Sequence, residues 1–331
     1  MELVCPAGNL PSLKAAVDNG ANAVYMGLRD ATNARHFPGL NFDQARAREG
    51  LEYARRRGVK VFMAINTYPQ ADNWEVWRQA VDMAAGLGVD ALILADIGVL
   101  DYAANRWPDL ALHLSVQASS TNYEALRFYR EAFGIRRAVI PRVLSLAQVQ
   151  HIVEHSPVAI EVFGFGSLCV MVEGRCLLSS YCCGQSPNTY GACSPAEAVE
   201  WRDTAQGLEA RLGGVLTDRY GPGEETGYPT VCKGRYQVGD QVFYALEEPT
   251  SLNTLEILPD LLAAGVQAIK IEGRQRTPAY VAQVTRVWRQ AIDACRANPA
   301  AFQARADWTR ELAKVAEGAQ TTLGAYHRPW Q

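Results

Sequence analysis

Four cysteines carry the clearest chemistry in this 331-residue chain: Cys169, Cys176, Cys193 and Cys232, with six, sixteen and thirty-eight residues between them. A thiolate is a soft, charged ligand, and four of them complete either a tetrahedral zinc site or an iron–sulfur cluster. The spacing matches neither the short C-x-x-C zinc patterns nor the bacterial ferredoxin run, so spacing alone leaves the metal open. Buried apolar cysteines are the competing reading. Cys182 and Cys183 fall inside the same span as spectators or substitutes. Glycines from Gly164 to Gly191 punctuate the segment and let backbone wrap closely around a bound group.

Around the first pair the chain reads Glu161-x-Phe163-x-x-Gly166-Ser167-Leu168-Cys169, four residues, then Gly174-x-Cys176-x-Leu178-Ser179. This resembles the signature of the collagenase-like "unassigned peptidase" family thirty-two, with every motif position filled. The opening Cys5-Pro6-Ala7-Gly8-Asn9-Leu10 and the closing Thr322-Leu323-Gly324-Ala325-Tyr326-His327 narrow the resemblance to the short, ubiquinone-biosynthesis members of that family, over nearly the full length. The resemblance implies that Cys169, Cys176, Cys193 and Cys232 are the ligands of a [4Fe–4S] cluster. It also implies an enzyme component for oxygen-independent hydroxylation of the aromatic ring of a ubiquinone precursor, with prephenate as hydroxyl donor. The implied partner is a UbiV-like protein, a second cluster-bearing barrel, in a heterodimer. Longer relatives with the same four cysteines modify tRNA or rRNA bases, so RNA base hydroxylation is one alternative and a structural zinc-binding, peptidase-like protein is another. Hydrolysis itself finds no support: Gly166-Ser167-Leu168 is not a G-x-S-x-G elbow, and there is no H-E-x-x-H pair.

Composition places the chain among ordinary globular proteins, with 48% hydrophobic and 20% charged residues. A net charge of −3 and a pI near 6.0 argue against strong electrostatic capture of nucleic acid. No membrane span is expected. The first residues, Met1-Glu2-Leu3-Val4-Cys5-Pro6, lack the basic region and apolar core of a signal peptide, so a cytoplasmic location with eight reduced cysteines is expected.

The elements that must position these cysteines follow from hydrophobic periodicity. Eight short β-rich runs, LVCPAG, AVYMGL, KVFMAIN, DALILAD, LALHLSVQA, RAVIPR, AIEVFGFG and QAIKIEGR, alternate with amphipathic stretches at 10–19, 43–57, 74–87, 123–133 and 146–155. Such alternation predicts parallel strands and crossover helices, and eight units suit an α/β fold, an eight-stranded TIM-like β/α barrel. An open doubly wound sheet is the runner-up, but no G-x-G-x-x-G follows the first strand. The expected division is residues 1–167 for barrel strands one to seven, 168–267 for a cysteine-bearing insertion that replaces the last crossover, and 268–331 for strand eight, a closing helix and a tail. The insertion has a Pro/Gly-rich interior at 220–229, so metal binding is expected to order it, and Tyr236, Val238, Val242 and Tyr244 flank Gly239-Asp240 as a hairpin. A helix is expected over 278–296, with Cys295 in packing or at the surface. Trp201, Tyr236 and Trp330 suit an interface, and the tail at Tyr326 to Trp330 reads as a lid or partner contact.

Strand alternation then sorts side chains between helix layer and lumen. It turns His113, Ser115, Gln117, Lys270, Glu272 and Arg274 inward, together with Asn66, Arg142 and Glu161. Because barrels build sites at strand C-terminal ends, Arg142, Glu272 and Arg274 are the candidate catalytic residues. Asn66 and Gln117, with Arg35 and His36 from the loop after strand two, are the candidate substrate-binding residues. The competing expectation is a lumen salt-bridge network joining Arg142 or Arg274 to Glu161 or Glu272. Asp96 has the opposite parity and is expected to cap a helix.

Overall fold

Eight parallel strands close into a cylinder in a computed structural model that describes residues 1–327. In order these are β1 (Glu2–Pro6), α1 (Leu10–Asp18), β2 (Ala23–Gly27), α2 (Gln44–Arg55), β3 (Lys60–Ile65), α3 (Trp74–Leu87), β4 (Ala91–Leu94), α4 (Ile97–Arg106), β5 (Ala111–Leu114), α5 (Tyr123–Phe133), β6 (Arg137–Val139), α6 (Leu146–His155) and β7 (Ala159–Ser167). The eighth barrel strand, Ala268–Ile271, pairs in parallel with both β7 and β1 and so closes the barrel. The expected TIM-like α/β architecture is present.

The period-two pattern produces two cores. Leu3, Cys5, Val24, Met26, Val61, Met63, Leu92, Leu94, Ile269 and Ile271 point outward and are buried under the helices. Val4, Ala23, Tyr25, Phe62, Ala64, Ala91, Ile93 and Ala268 fill a smaller core in the lumen. Helices begin at side chains that accept an otherwise unpartnered backbone N–H, among them Asn9, Asp43, Asn122 and Ser145. Asp96 is one of these caps, accepting from Val99 N at 3.0 Å.

After β7 the chain leaves the barrel through α7 (Leu178–Cys183) and α8 (Pro187–Tyr190). It then forms an antiparallel sheet of β8 (Val199–Thr204), β9 (Gly207–Leu212) and β10 (Val215–Tyr220). Sequence patterning did not mark this sheet, because the side chains it buries mix the apolar Ala210, Leu212 and Tyr220 with the polar Glu209, Thr217 and Asp218. The hairpin around Gly239-Asp240 is present as β11 (Arg235–Val238) and β12 (Gln241–Tyr244). Next, β13 (Ser251–Asn253) pairs antiparallel with the end of β7, and α9 (Leu258–Ala263) leads into the closing strand, now β14. The last crossover therefore keeps a helix, contrary to the expectation that the insertion replaces it; six residues are too few for a periodic signal. α10 (Pro278–Ala297) packs on α1 and buries Trp288 and Cys295. α11 (Ala306–Ala313) and β15 (Thr321–Thr322) follow, the latter pairing with β13. Trp330 lies outside the described residues. Among the described residues no helix is long and apolar enough to cross a membrane.

Candidate metal centre and barrel mouth

The strand that delivers the cysteines is held by close backbone approaches. Gly166 has φ +126°, and a Cβ there would stand 2.6 Å from Glu272 Cβ, so only glycine lets β7 pass the end of β14 this closely. Gly174 has φ +87°, and its Cβ would lie 1.9 Å from Gln117 O. The loop between Cys169 and Cys176 is thereby laid against the end of β5. Ser119 Oγ donates to Glu173 O at 2.5 Å, and Asn188 Nδ2 donates to Cys176 O at 3.2 Å.

Cys169, Cys176 and Cys232 are half-buried and Cys193 is exposed, all as free thiols. Burial raises the Cys169 thiol to about 12, with the Glu173 carboxylate adding to the effect. Burial also raises Cys232 to about 11, reinforced by the charge of Cys193 and, less, of Cys176. Each of the four is thus within electrostatic reach of another in the set. Among the described residues no three of these sulfurs lie within 4.8 Å of one another. A tetrahedral zinc site with Zn–S near 2.3 Å would hold its sulfurs about 3.8 Å apart. Cys182 and Cys183 sit together on α7, with Cys182 O against Gly213.

Two stretches around the cysteines are tied to the C-terminal segment. Lys233, next to Cys232, donates to Ser167 Oγ at 2.9 Å and pairs with Glu317. Ser167 Oγ in turn donates to Glu317 Oε2 at 3.0 Å, and Arg276 reaches Glu317 at 3.2 Å. No strand or helix pattern marked this cluster, since Glu317 is eighty-four residues from Lys233 in the chain.

Below the cysteine loop a cavity of about 60 Å³ opens at the C-terminal ends of the strands. Arg35, Asn66, Gln117, Arg142, Glu272 and Arg274 line it, joined by Tyr25, Phe163, Lys270 and Glu173. Six of the seven barrel residues singled out from the sequence therefore meet. His36 does not line the cavity; it lies against Gly191, and its Nδ1 is buried without a hydrogen-bond partner. Asn66 is occupied on both sides, donating to Ser115 Oγ at 2.8 Å and accepting from Ala34 N at 2.9 Å, so it fixes the loop after β2. Arg35 in that loop has φ +97°, a conformation that costs a bulky residue on the order of 1–3 kcal/mol. Its N–H donates to Gly191 O at 2.6 Å, joining the barrel rim to the cysteine segment.

The expected ion-pair network is differently wired. Arg142 pairs with Glu173, Nε to Oε1 at 2.6 Å, and with neither Glu161 nor Glu272. It also donates to Ser167 O. Although burial opposes it, the Glu173 charge holds the Arg142 guanidinium above its ordinary range. Glu161 instead accepts from Lys270 at 2.8 Å and from Arg137 at 3.2 Å. Glu272 has Arg35 at 3.9 Å. Arg274 donates to Asn33 Oδ1 at 2.9 Å, and among the described residues no carboxylate lies within 4 Å of it. Burial lowers Arg274 to about 10. Glu173 is the partner that sequence reasoning missed; the signal was an acid directly after the apolar run Val170-Met171-Val172 and just before Gly174. Its Oε2 is buried with no hydrogen-bond partner among the described residues.

The sequence model of peptidase family U32 matches residues 8–329. The chain belongs to that family. Among U32-related proteins, "tRNA hydroxylation protein P1" of Bacillus subtilis (strain 168) is 30% identical over 319 residues, covering 95% of this chain and 68% of that protein. "Collagenase" of Porphyromonas gingivalis (strain ATCC BAA-308 / W83) is 30% identical, covering 95% and 70%. "23S rRNA 5-hydroxycytidine C2501 synthase" of Escherichia coli (strain K12) is 30% identical, covering 89% of this chain and 39% of that protein. This U32 chain thus spans about two thirds of the length of the first of these relatives and well under half of the last.

Proposed function

We propose that this chain is a UbiU-type component of oxygen-independent ubiquinone synthesis, holding one [4Fe–4S] cluster on Cys169, Cys176, Cys193 and Cys232. It would work with a UbiV-like partner, hydroxylating the ring of a quinone precursor with prephenate as hydroxyl donor. One observation carries the reading. The cysteine loop and the cation-lined cavity share a wall, because Glu173, between Cys169 and Cys176, is paired to Arg142 at the barrel mouth. Four thiols within electrostatic reach of one another suit a cube in which each thiolate binds a different iron. Such a cluster, when bound, supplies one-electron chemistry or a rigid staple for the insertion.

The residues of the chain account for the rest. Arg274, with no carboxylate within 4 Å among the described residues, is the group to receive a carboxylate in the planar two-point fashion of a guanidinium. Arg35 and Arg142 add positive charge, and Phe163 gives an apolar wall. Glu173 Oε2 accepts from an O–H of the bound acid. By the measure in which one water needs about 10–15 Å³, the cavity seats on the order of five water-sized groups, enough for a carboxylate and its neighbouring carbons. An aromatic ring would then lie toward the cysteines.

The names of the relatives favour a second reading, hydroxylation of an RNA base. Both readings are tested on protein purified without oxygen, by iron, sulfide and zinc content, by co-purification of a UbiV-like chain, and by quinone and hydroxylated-nucleoside levels in a deletion strain grown under anoxia. Four irons, a bound partner and lost quinone support the proposal. Zinc without iron refutes the cluster, and lost hydroxynucleoside with normal quinone moves the substrate to RNA.

A further inference from the structure

The last turn of α6 carries a group of side chains that the cysteine centre does not involve. His151, Glu154 and His155 are exposed, and one ligand atom from each lies within 4.8 Å of the other two. The two histidines are four residues apart, on one face of the helix, with ring centroids 4.3 Å apart. His155 Nδ1 is 2.9 Å from His151 O. A carbonyl only accepts, so Nδ1 carries the proton and Nε2 presents its lone pair to solvent, the tautomer a metal ligand needs. Tyr123 of α5 stacks on His155 at 5.0 Å and meets the edge of His151 at 5.6 Å, which limits ring rotation before anything binds.

We propose that His151, Glu154 and His155 form a surface site for a divalent transition-metal ion of the zinc or nickel type. Two imidazoles and a carboxylate are a borderline donor set that suits these ions better than calcium or magnesium. His155 is also the last residue of the helix, where outward-facing carbonyls favour a cation. Of the two arginines on α5, Arg127 is 5.9 Å from the Tyr123 ring and is paired with Glu124 at 2.9 Å, and Arg130 donates to the Gly134 and Ile135 carbonyls. The segment spells His-x-x-Glu-His, an order found in some zinc hydrolases, but three exposed ligands on a convex helix favour binding over catalysis. The site is remote from the cysteines. α6 ends where β7 begins, and the cysteines follow the far end of that nine-residue strand, about 30 Å away at roughly 3.3 Å per residue.

The test is nickel(II) titration of the anaerobically purified, cluster-loaded protein, alongside H151Q/H155Q and E154Q. Carbethoxylation of each histidine is mapped by mass spectrometry with and without Ni²⁺. One equivalent should bind with a dissociation constant on the order of micromolar, rising at least about tenfold in H151Q/H155Q and less in E154Q. Protection should appear at His151 and His155 but not at His36, with iron content unchanged in the variants. Equal uptake by wild type and H151Q/H155Q, or protection absent from both rings, overturns the site. Normal iron content in H151Q/H155Q separates this result from any failure of the cysteine centre.

Discussion

Two ends of one barrel lumen treat charge in opposite ways. Toward the start of the strands, Glu161 is almost fully buried, yet each of its oxygens has a cation, Lys270 at 2.8 Å and Arg137 at 3.2 Å. Arg137 goes on to Glu2 at 2.5 Å, and Glu2 to Lys60 at 2.7 Å at the barrel floor. His113 stands beside this chain against Phe62, and burial lowers it to about 3, so it stays neutral. Toward the strand ends, Arg274 has an amide oxygen and, among the described residues, no carboxylate within 4 Å, and Glu173 has one oxygen paired and one without a partner among them. Buried charges are costly unless paired, so the floor, where each charge has a counter-charge although Arg137 Nε has no hydrogen-bond partner among the described residues, is read as architecture, and the mouth, where Arg274 has none within 4 Å among them, as a candidate place for a ligand. Polar parity alone puts both sets in the same lumen; pairing separates them.

Substitutions can break or sharpen this contrast. The largest effect is expected at the cysteine wall of the mouth: alanine at Cys169, Cys176, Cys193 or Cys232 should abolish the brown chromophore of anaerobic protein, while alanine at Cys182 or Cys183 should not. Iron analysis decides between the sets.

On the floor side, Glu161→Gln leaves the buried Lys270 without a counter-charge, while Arg137 keeps Glu2, and should lower stability by about 3 kcal/mol, read by denaturant unfolding. Glu161→Met combined with Lys270→Met should recover part of that loss. Glu161 also sets a pH dependence. Burial would raise its carboxyl, but Lys270 and Arg137 prevail and hold it below the ordinary value of 4.5. The folded chain then binds fewer protons than the unfolded one, so this stabilisation is complete above pH 4.5 and is lost as pH falls through the folded value. A wild-type melting curve that does not fall with acid below pH 4.5, or that keeps its slope in the double variant, contradicts the assignment.

At the mouth the two arginines should part company. Arg142→Met strands Glu173 and should cost on the order of 3 kcal/mol along with activity. Arg274→Met removes a buried cation that has no carboxylate, so stability should hold or rise slightly while anaerobic quinone formation falls at least about tenfold. Equal melting losses in the two variants would make Arg274 another structural charge.

Much of this was legible in the residues. Eight runs of alternating β-branched and apolar side chains, with amphipathic stretches between them, are enough to specify the barrel, because each strand and helix carries its own local signal. The same alternation put Asn66, Gln117, Arg142, Glu272 and Arg274 at one end of the lumen, and the four cysteines were marked by type and motif. Tertiary structure decided the pairings. Arg142 meets Glu173, thirty-one residues on, only because Gly174 lets the cysteine loop rest on Gln117 O. Lys233 meets Glu317, and Arg35 reaches Gly191, across separations that no periodicity encodes. Side-chain type records whether a group can carry charge, whereas its partner depends on where distant backbone is brought, and at this barrel that choice separates the charges given a counter-charge, such as Glu161 and Lys270, from Arg274, which has no carboxylate within 4 Å among the described residues.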